Sequence, residues 1–345
     1  MKRDTITIID IARALQLSSA TVSRALRDSY QISEATKQLV KAYAKQHNYH
    51  PNLLAQSLKS NKSKSIGLLI SSVPNNFFAE VINGIESITY SSGYHLIITQ
   101  SHESQEREAR NIEHLHWRSV DGMLVSLSSE TTEVSTLQKI QSAGVPIVQF
   151  DRVSDDIATH QVIVDNKDGA YQLTKHLVQS GFTRIAQITS APVLSITRER
   201  KEGFLTALNE HYLSTPEPYI QHCLHGGMNL EETEHALQQL LDLPEPPEAI
   251  FTASDRITIG TFAGLHKRNI NIPGTMAIAG FCNFSSPELF HPSLTTIRQP
   301  AFEMGKAAAE LLIGLIESKK NSRGFEKRVL PTELFIRQSS VKLPG

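Results

Sequence analysis

Ser19, Ala20 and Arg24 stand in the stretch SSATVSRAL at 18–26, where a helix would present them together and turn Val22, Ala25 and Leu26 the other way. Those three residue types suit the edges of DNA bases. An arginine guanidinium makes two parallel hydrogen bonds to guanine, a serine can meet several bases, and an alanine methyl can meet only the methyl of thymine. Thr7, Thr21, Ser23 and Arg27 lie nearby and suit phosphate oxygens, contacts that set register without reading sequence. A plain three-helix bundle with Arg24 in solvent is the bland alternative; turn spacing, caps and charge together favour DNA reading.

The elements that would position these residues are short and well punctuated. Thr7 is a candidate N-cap for a helix over about 8–15, whose Ile8, Ile11, Ala12 and Leu15 recur at helical spacing. Gln16 and Leu17 would form a turn. Ser18 would cap a second helix of about 19–27, and Ser33 a third of about 34–47, with Glu34 at its positive end. This order is a helix-turn-helix, whose second helix enters the major groove. Pro51 would then stop the third helix. Residues 53–58, LLAQSL, could form barely two further turns, too short to be stable in water without a partner. Leu58 would serve either as a wedge between base steps in the minor groove or, with Leu54, as packing against the rest of the chain. Residues 60–65, SNKSKS, read as a polar linker.

Charge supports this division. The chain carries a net charge of −1, yet residues 1–64 carry +7 and the remainder −8. A basic head on an acidic body suits a nucleic-acid-binding module joined to something else. The 345 residues suffice for two or three domains. No apolar run approaches the ~20 residues of a membrane helix, and MKRDTITIID lacks the apolar centre of a signal peptide. With only Cys223 and Cys282, no disulfide framework is expected and a cytoplasmic location is.

From Ile66 onward, strand and helix patterns alternate. Strands are predicted at 65–72, 94–100, 121–127 and 145–150, and then in a second series at 162–166, 184–190, 248–254 and 275–281. Helices are predicted near 77–93, 103–117 and 134–143, then near 168–181, 199–211, 230–242 and 256–269. Such alternation argues parallel sheets with right-handed crossovers, and two series argue two similar lobes. Ligands of open α/β sheets bind beyond the carboxyl ends of strands, so the cleft between lobes is the expected binding site.

Nothing here resembles a catalytic constellation. There is no G-x-S-x-G elbow, no P-loop and no G-x-G-x-x-G. The 14 histidines are scattered, His114 and His116 would point apart on a helix, and Cys223 with His225 lack companion ligands. We therefore expect no enzyme activity, no metal site and no cofactor.

Taken together, these strings resemble the lactose-repressor (LacI/GalR) family of bacterial transcription regulators across nearly the whole chain. The resemblance rests on I-x-D-I-A at 8–12, SSATVSRAL at 18–26, YHPN at 49–52 and A-x-S-L-K at 55–59. In the body it rests on KSIGLL at 64–69, FFAE at 77–80, VDGMLV at 120–125 and SLTTIRQP at 293–300. It implies an all-α head and hinge helix on a two-lobed α/β body like periplasmic sugar-binding proteins, its lobes crossed by three strands. The implied parts are a head at 1–50, a hinge at 51–63, a first lobe at 64–164 plus 297–327, and a second at 165–296 plus 328–345.

The resemblance also implies a homodimer or tetramer on a pseudo-palindromic operator, with Leu58 as the minor-groove wedge and Ala55 and Lys59 beside it. It places effector contacts at Phe77 and Phe78, at Arg200, Asp255, Cys282 and Asn283, with Asp165 and Asn166 near a crossover. On the residues alone, Phe77 and Phe78 could instead be simply core, and Arg200 could pair with Glu199 or Glu202 at the surface. Three positions depart from the family pattern. Gln16 replaces a common turn glycine, Gln56 a frequent hinge arginine, and Cys282 an aspartate that typically grips sugar hydroxyls. A thiol is a weak hydrogen-bonding group, so either that grip is lost or Asn283 supplies it, and a standard hexose effector is put in doubt. The expected function is transcriptional regulation by a small-molecule effector, a sugar or sugar derivative, most simply as a repressor. An activator has the same parts, while a sugar receptor or an enzyme with a DNA-binding head fits less well.

Overall fold

The computed structural model describes residues 6–49, 62–318 and 324–342. The chain divides into two units, the first ending at Ser63 and the second starting at Lys64. Within the first, helices α1 (Ile8–Ala14), α2 (Ser19–Leu26) and α3 (Glu34–Gln46) follow in the predicted order. Thr7 caps α1 through a reciprocal pair with Asp10, and Ser18 and Ser33 accept from the amides of Thr21 and Thr36. Ile11, Ala12, Val22, Ala25, Val40 and Ala44 form the core. The turn keeps a left-handed backbone at Gln16, φ 52°, so the side chain that replaces a glycine here is carried at a steric cost of about 1–2 kcal/mol. The hinge positions Ala55, Leu58 and Lys59 lie outside the described residues.

In the second unit, the described residues form two six-stranded sheets of the same strand plan. The first joins β1 (Ser65–Ile70), β2 (His95–Gln100), β3 (Gly122–Val125), β4 (Ile147–Phe150), β5 (His160–Val164) and β11 (Lys327–Leu330) in the order β11-β5-β4-β3-β1-β2. All its pairs are parallel. The second joins β6 (Ile185–Thr189), β7 (Ile220–His222), β8 (Ala249–Thr252), β9 (Ala277–Phe281), β10 (Thr295–Arg298) and β12 (Glu333–Phe335) in the order β12-β10-β9-β8-β6-β7. It is parallel except between β10 and β12.

Three segments pass between the sheets: after Val164, after Arg298 and after Leu330. Two expectations are corrected by this pairing. The strand at 162–166, placed at the head of the second series, hydrogen-bonds to β4 and belongs to the first sheet. The later crossings fall after 298 and 330 rather than at 297 and 328, because Ile297 and Arg298 pair with β12 and Arg328 to Leu330 pair with β5. Strands β7, β10, β11 and β12 lack the long apolar runs of the others and were not predicted as strands.

Helices cover both faces of each sheet. The first sheet is covered by α4 (Asn76–Ser91) and α11 (Ala301–Glu317) on one side, and by α5 (Gln105–Trp117) and α6 (Ser135–Ser142) on the other. The second is covered by α7 (Asn166–Gln179) and α8 (Ser195–Glu210), and by α9 (Leu230–Leu241) and α10 (Asp255–Lys267). In each lobe one helix pair closes on glycine. A Cβ added at Gly84 would lie 2.0 Å from the Phe302 carbonyl oxygen, and one at Gly203 would lie 2.1 Å from that of Lys167. Neither backbone oxygen can move aside as a side chain could. Gly84→Ala is expected to push α4 from α11 and to destabilise the protein by about 1–3 kcal/mol. Urea unfolding followed by circular dichroism checks this; an unchanged midpoint would show that the helices separate freely.

Candidate DNA-reading face and interlobe cleft

On the head, Ser19, Ala20 and Arg24 are exposed while Val22 and Ala25 are buried. Helix α2 thus carries its three candidate base-reading residues outward and its apolar residues into the core. Ala20, Ser23, Arg24, Arg27 and Ser29 line a concavity of about 250 Å³. The hydroxyls proposed for phosphate already have local partners. Thr7 Oγ1 bonds Asp10 at 2.6 Å, Thr21 Oγ1 bonds Ser18 at 2.8 Å, and Ser23 Oγ accepts from Arg27 at 3.1 Å. Such pairs preset rotamers, leaving each hydroxyl with further hydrogen-bonding capacity.

In the body, the carboxyl ends of the strands meet a dense set of buried polar groups. Arg200, on α8, is 2% exposed. Its Nε donates to Asn166 Oδ1 at 2.8 Å, its Nη2 to Gln299 Oε1 at 2.8 Å, and its Nη1 to the Ala253 carbonyl. The guanidinium also lies 3.9 Å above the Phe281 ring. Burial lowers its pKa to about 10 against the pull of Asp151, so it remains cationic at neutral pH. Surface pairing with Glu199 or Glu202 does not occur: Glu199 accepts from Asn166, and Glu202 takes Lys167.

Asp255 opens α10 and is buried. Its Oδ2 accepts from the Phe77 amide of the opposite lobe at 3.2 Å and its Oδ1 from the Asn283 amide at 2.5 Å. Burial raises its pKa, and the two amides and the Cys282 thiol oppose that rise. Cys282 is itself buried and its thiol is held well above its usual range by burial and by Asp255. Asn283 does not hold a spare group in place of an aspartate. Its Nδ2 donates to Glu80 at 3.1 Å and to the Gln299 carbonyl at 2.8 Å, and its Oδ1 accepts from the Gln299 amide at 3.1 Å. Phe77 and Phe78 are buried at the edge of the first lobe. Their rings stack edge to face, 5.2 Å apart, inside the first-lobe core, so what Phe77 extends to the second lobe is its backbone amide.

Several cleft residues escaped the sequence reading. Asp151 and Arg152 directly follow β4, and Glu103 follows β2; all three are buried. Arg152 Nη1 donates to Glu103 Oε2 at 2.6 Å, and the same oxygen accepts the Ser129 amide at 2.8 Å. Burial pushes Glu103 upward, but Arg152 and Ser129 outweigh it and hold the carboxyl below its usual range. Asp151 is raised by burial. Arg152 Nε and the hydroxyls of Ser101, Ser129, Thr189 and Thr197 are buried with no hydrogen-bond partner. The rule that ligands sit beyond strand carboxyl ends would have found Asp151, Arg152 and Glu103, had it been applied residue by residue. At the cleft mouth, a cavity of about 230 Å³ runs between 127–134 and 152–156 of the first lobe and 193–198 of the second. Among the described residues, no group of three or more His, Cys, Asp or Glu is placed to hold a metal ion, and no helix is long and apolar enough to cross a membrane.

A three-helix reading head joined to two α/β lobes with a polar cleft defines a ligand-responsive DNA-binding protein. Residues 7–52 match the description "Bacterial regulatory proteins, lacI family", and residues 63–338 match "Periplasmic binding proteins and sugar binding domain of LacI family". The HTH-type transcriptional repressor PurR of Vibrio cholerae serotype O1 is 33% identical over 317 residues, covering 92% of this chain and 93% of its own. PurR of Vibrio parahaemolyticus is 32% identical over 339 residues, covering 98% and 99%. Among solved structures, the lac repressor dimer bound to operator and the anti-inducer ONPF superposes with a TM-score of 0.84 at 22% identity, over 98% of this chain and 100% of that one. The transcriptional regulator CelR in complex with cellobiose gives 0.71 at 26% identity, over 97% and 99%. The chain belongs to the LacI family of bacterial regulatory proteins. It is a DNA-binding transcription regulator and not an enzyme.

Because Arg200 satisfies three separate buried acceptors, Arg200→Ala would leave Asn166 Oδ1, Gln299 Oε1 and the Ala253 carbonyl without that donor and open a void. A loss of about 2–4 kcal/mol is expected, read as a lower urea midpoint. A midpoint within error of the parent would mean that these bonds add nothing net.

Proposed function

We propose that this protein is a cytoplasmic repressor that acts as a homodimer on a pseudo-palindromic operator and is controlled by a small polar effector between its lobes. The observation that carries the DNA reading is the orientation of α2, with Ser19, Ala20 and Arg24 outward and Val22 and Ala25 in the core. Arg24 reads a guanine, Ala20 a thymine methyl, and Ser19 a neighbouring base edge. Thr7, Thr21, Ser23 and Arg27 set the register on phosphates. Leu58, flanked by Ala55 and Lys59, wedges the minor groove between the half-sites.

The cleft supports a sugar or sugar derivative as effector. Its mouth cavity is lined by Ser128, Thr131, Thr132, Ser154 and Ser195 with Arg152 and Arg198, a donor and acceptor set matched to a polyol. Its volume of about 230 Å³ lies under the ~300–1,000 Å³ of drug-sized sites, which favours a small ligand. Deeper in, Arg200, Asp255 and Asn283 hold one another's neighbours across the lobes, and effector hydroxyls would exchange with those bonds. Cys282 takes no part in polyol binding, since its thiol is turned to Asp255. Closure then sets the spacing of the two heads, and the effector shifts that equilibrium by its differential affinity for the two states. Repressor relatives support the sign of the regulation, and the cellobiose complex of CelR supports the chemical class.

Operator selection from a random duplex library with the parent and Arg24→Ala tests the DNA reading. The variant should lose preference at one base pair per half-site, at a cost of about 1–3 kcal/mol. Unchanged preference there would remove Arg24 from base reading. Thermal-shift screening of sugars, sugar phosphates, uronates and nucleobases tests the effector class; stabilisation by nucleobases alone would replace the sugar assignment.

A further inference from the structure

The loop 223–229, between β7 and α9, reaches across the cleft. Its anchor is Glu232 on α9, whose carboxylate accepts from the His225 amide at 3.0 Å, the Gly227 amide at 3.3 Å and His225 Nδ1 at 2.7 Å. Gly226 and Gly227 take left-handed backbones, φ 63° and 75°, which lets the loop fold tightly over the opposite lobe. A Cβ at Gly226 would lie 3.5 Å from Glu103 Oε1 and 3.7 Å from Arg152 Nη2, both of the first lobe. Beyond them, His225 Nε2 stands 3.7 Å from Glu130 Oε1. Glu130 is held from behind, its Oε2 accepting the Gln105 amide at the start of α5 at 3.2 Å.

The imidazole of His225 therefore has a carboxylate at each nitrogen, one from each lobe. A neutral ring has one donor and one acceptor, so it can satisfy only one of them. Only the imidazolium keeps the bond to Glu232 through Nδ1 and at the same time presents a charged N–H to Glu130 as an ion pair. We propose that the 223–229 loop is a proton-operated latch, in which protonated His225 joins Glu232 of the second lobe to Glu130 of the first and so favours the closed cleft.

The groups facing the ring agree. They are Glu232 from α9, Glu130 from the loop after β3, and Glu103 from the segment after β2; the cations Arg152 and Arg256 act on Glu103. The His225 pKa is raised, first by the bond to Glu232, then against burial by the charges of Glu232, Glu130 and Glu103. The sign follows from Glu130. Opening the lobes removes that carboxylate but leaves Glu232, so the closed form holds the proton more tightly. The latch is fully engaged below the open-form pKa and is released as pH rises through the closed-form value. His225 and Glu130 are about half exposed, 54% and 48%, so the coupling is modest and screened by salt.

The latch bears on the effector reading through cleft closure, yet its test needs no effector, so either can fail alone. The His225 titration is followed by NMR in the full chain, in the parent and in Glu130→Gln. The variant should lower the His225 pKa by about half a unit. Cross-lobe distance is measured in parallel by electron–electron resonance, with spin labels on Glu113→Cys and Gln239→Cys. Between about pH 5.5 and about pH 8.5 the parent's ratio of closed to open molecules should fall by up to about threefold, whereas Glu130→Gln and His225→Gln should show no such fall. An identical His225 pKa in parent and Glu130→Gln, or a parent spacing independent of pH, would overturn the latch.

Discussion

The buried guanidinium of Arg200 is the contact on which the body's geometry depends. Asn166 begins the segment after the first crossing between lobes, Gln299 lies on the second, and Ala253 directly follows β8, a central strand of the second sheet. One side chain thus holds two of the three hinge segments against a strand. A cation so placed persists because each of its three nitrogens has an acceptor and acidic groups lie nearby, since an unpaired buried charge costs far more than a lost surface contact. Gln299 extends the array through its backbone to Asn283, and Asn283 reaches Glu80 in the opposite lobe. Asp255 completes it by accepting the Phe77 amide. The bonds that set hinge geometry are therefore the same bonds that cross the interlobe cleft. Any change in the partners of Arg200, Asp255 or Asn283 is a change at the crossings.

The two lobes solve the same packing problem in the same way. Each is a sheet of the same strand plan, parallel but for the β10–β12 pair, with a helix pair brought into backbone contact at glycine: Gly84 and Gly305 in one, Gly203 in the other. The cleft rim then needs contacts weak enough to make and break. The half-exposed pair of His225 and Glu130 has that character, as does the long 3.4 Å bond from the Val153 amide to Ser195.

Much of this was legible in order along the chain. Caps at Thr7, Ser18 and Ser33, apolar spacing in α1 to α3 and the basic head identified the reading module, and the long apolar strands identified two α/β lobes. The edge strand β7 and the crossing strands β10 to β12 were not legible, because they are short and carry polar or charged residues where a buried strand would be apolar. Phe77 and Phe78 were ambiguous for a related reason. A pair of aromatics after a strand fits a core as well as a ligand face, and only the packing of α4 against the sheet distinguishes them. Asp151, Arg152 and Glu103 were overlooked because charges at strand ends look like ordinary turn residues until the opposite lobe covers them.

The sequence by itself determined the helices, the long apolar strands, the helix-turn-helix and the family, since these depend on periodicity, capping and charge among near neighbours. Tertiary structure alone decided which polar groups meet. Arg200 finds Asn166 34 residues away and Gln299 99 residues away, and Asp255 finds the Phe77 amide 178 residues away. No local pattern specifies such partners, because they are chosen by where three crossings bring distant segments together and by the cost of leaving any buried polar group unpaired.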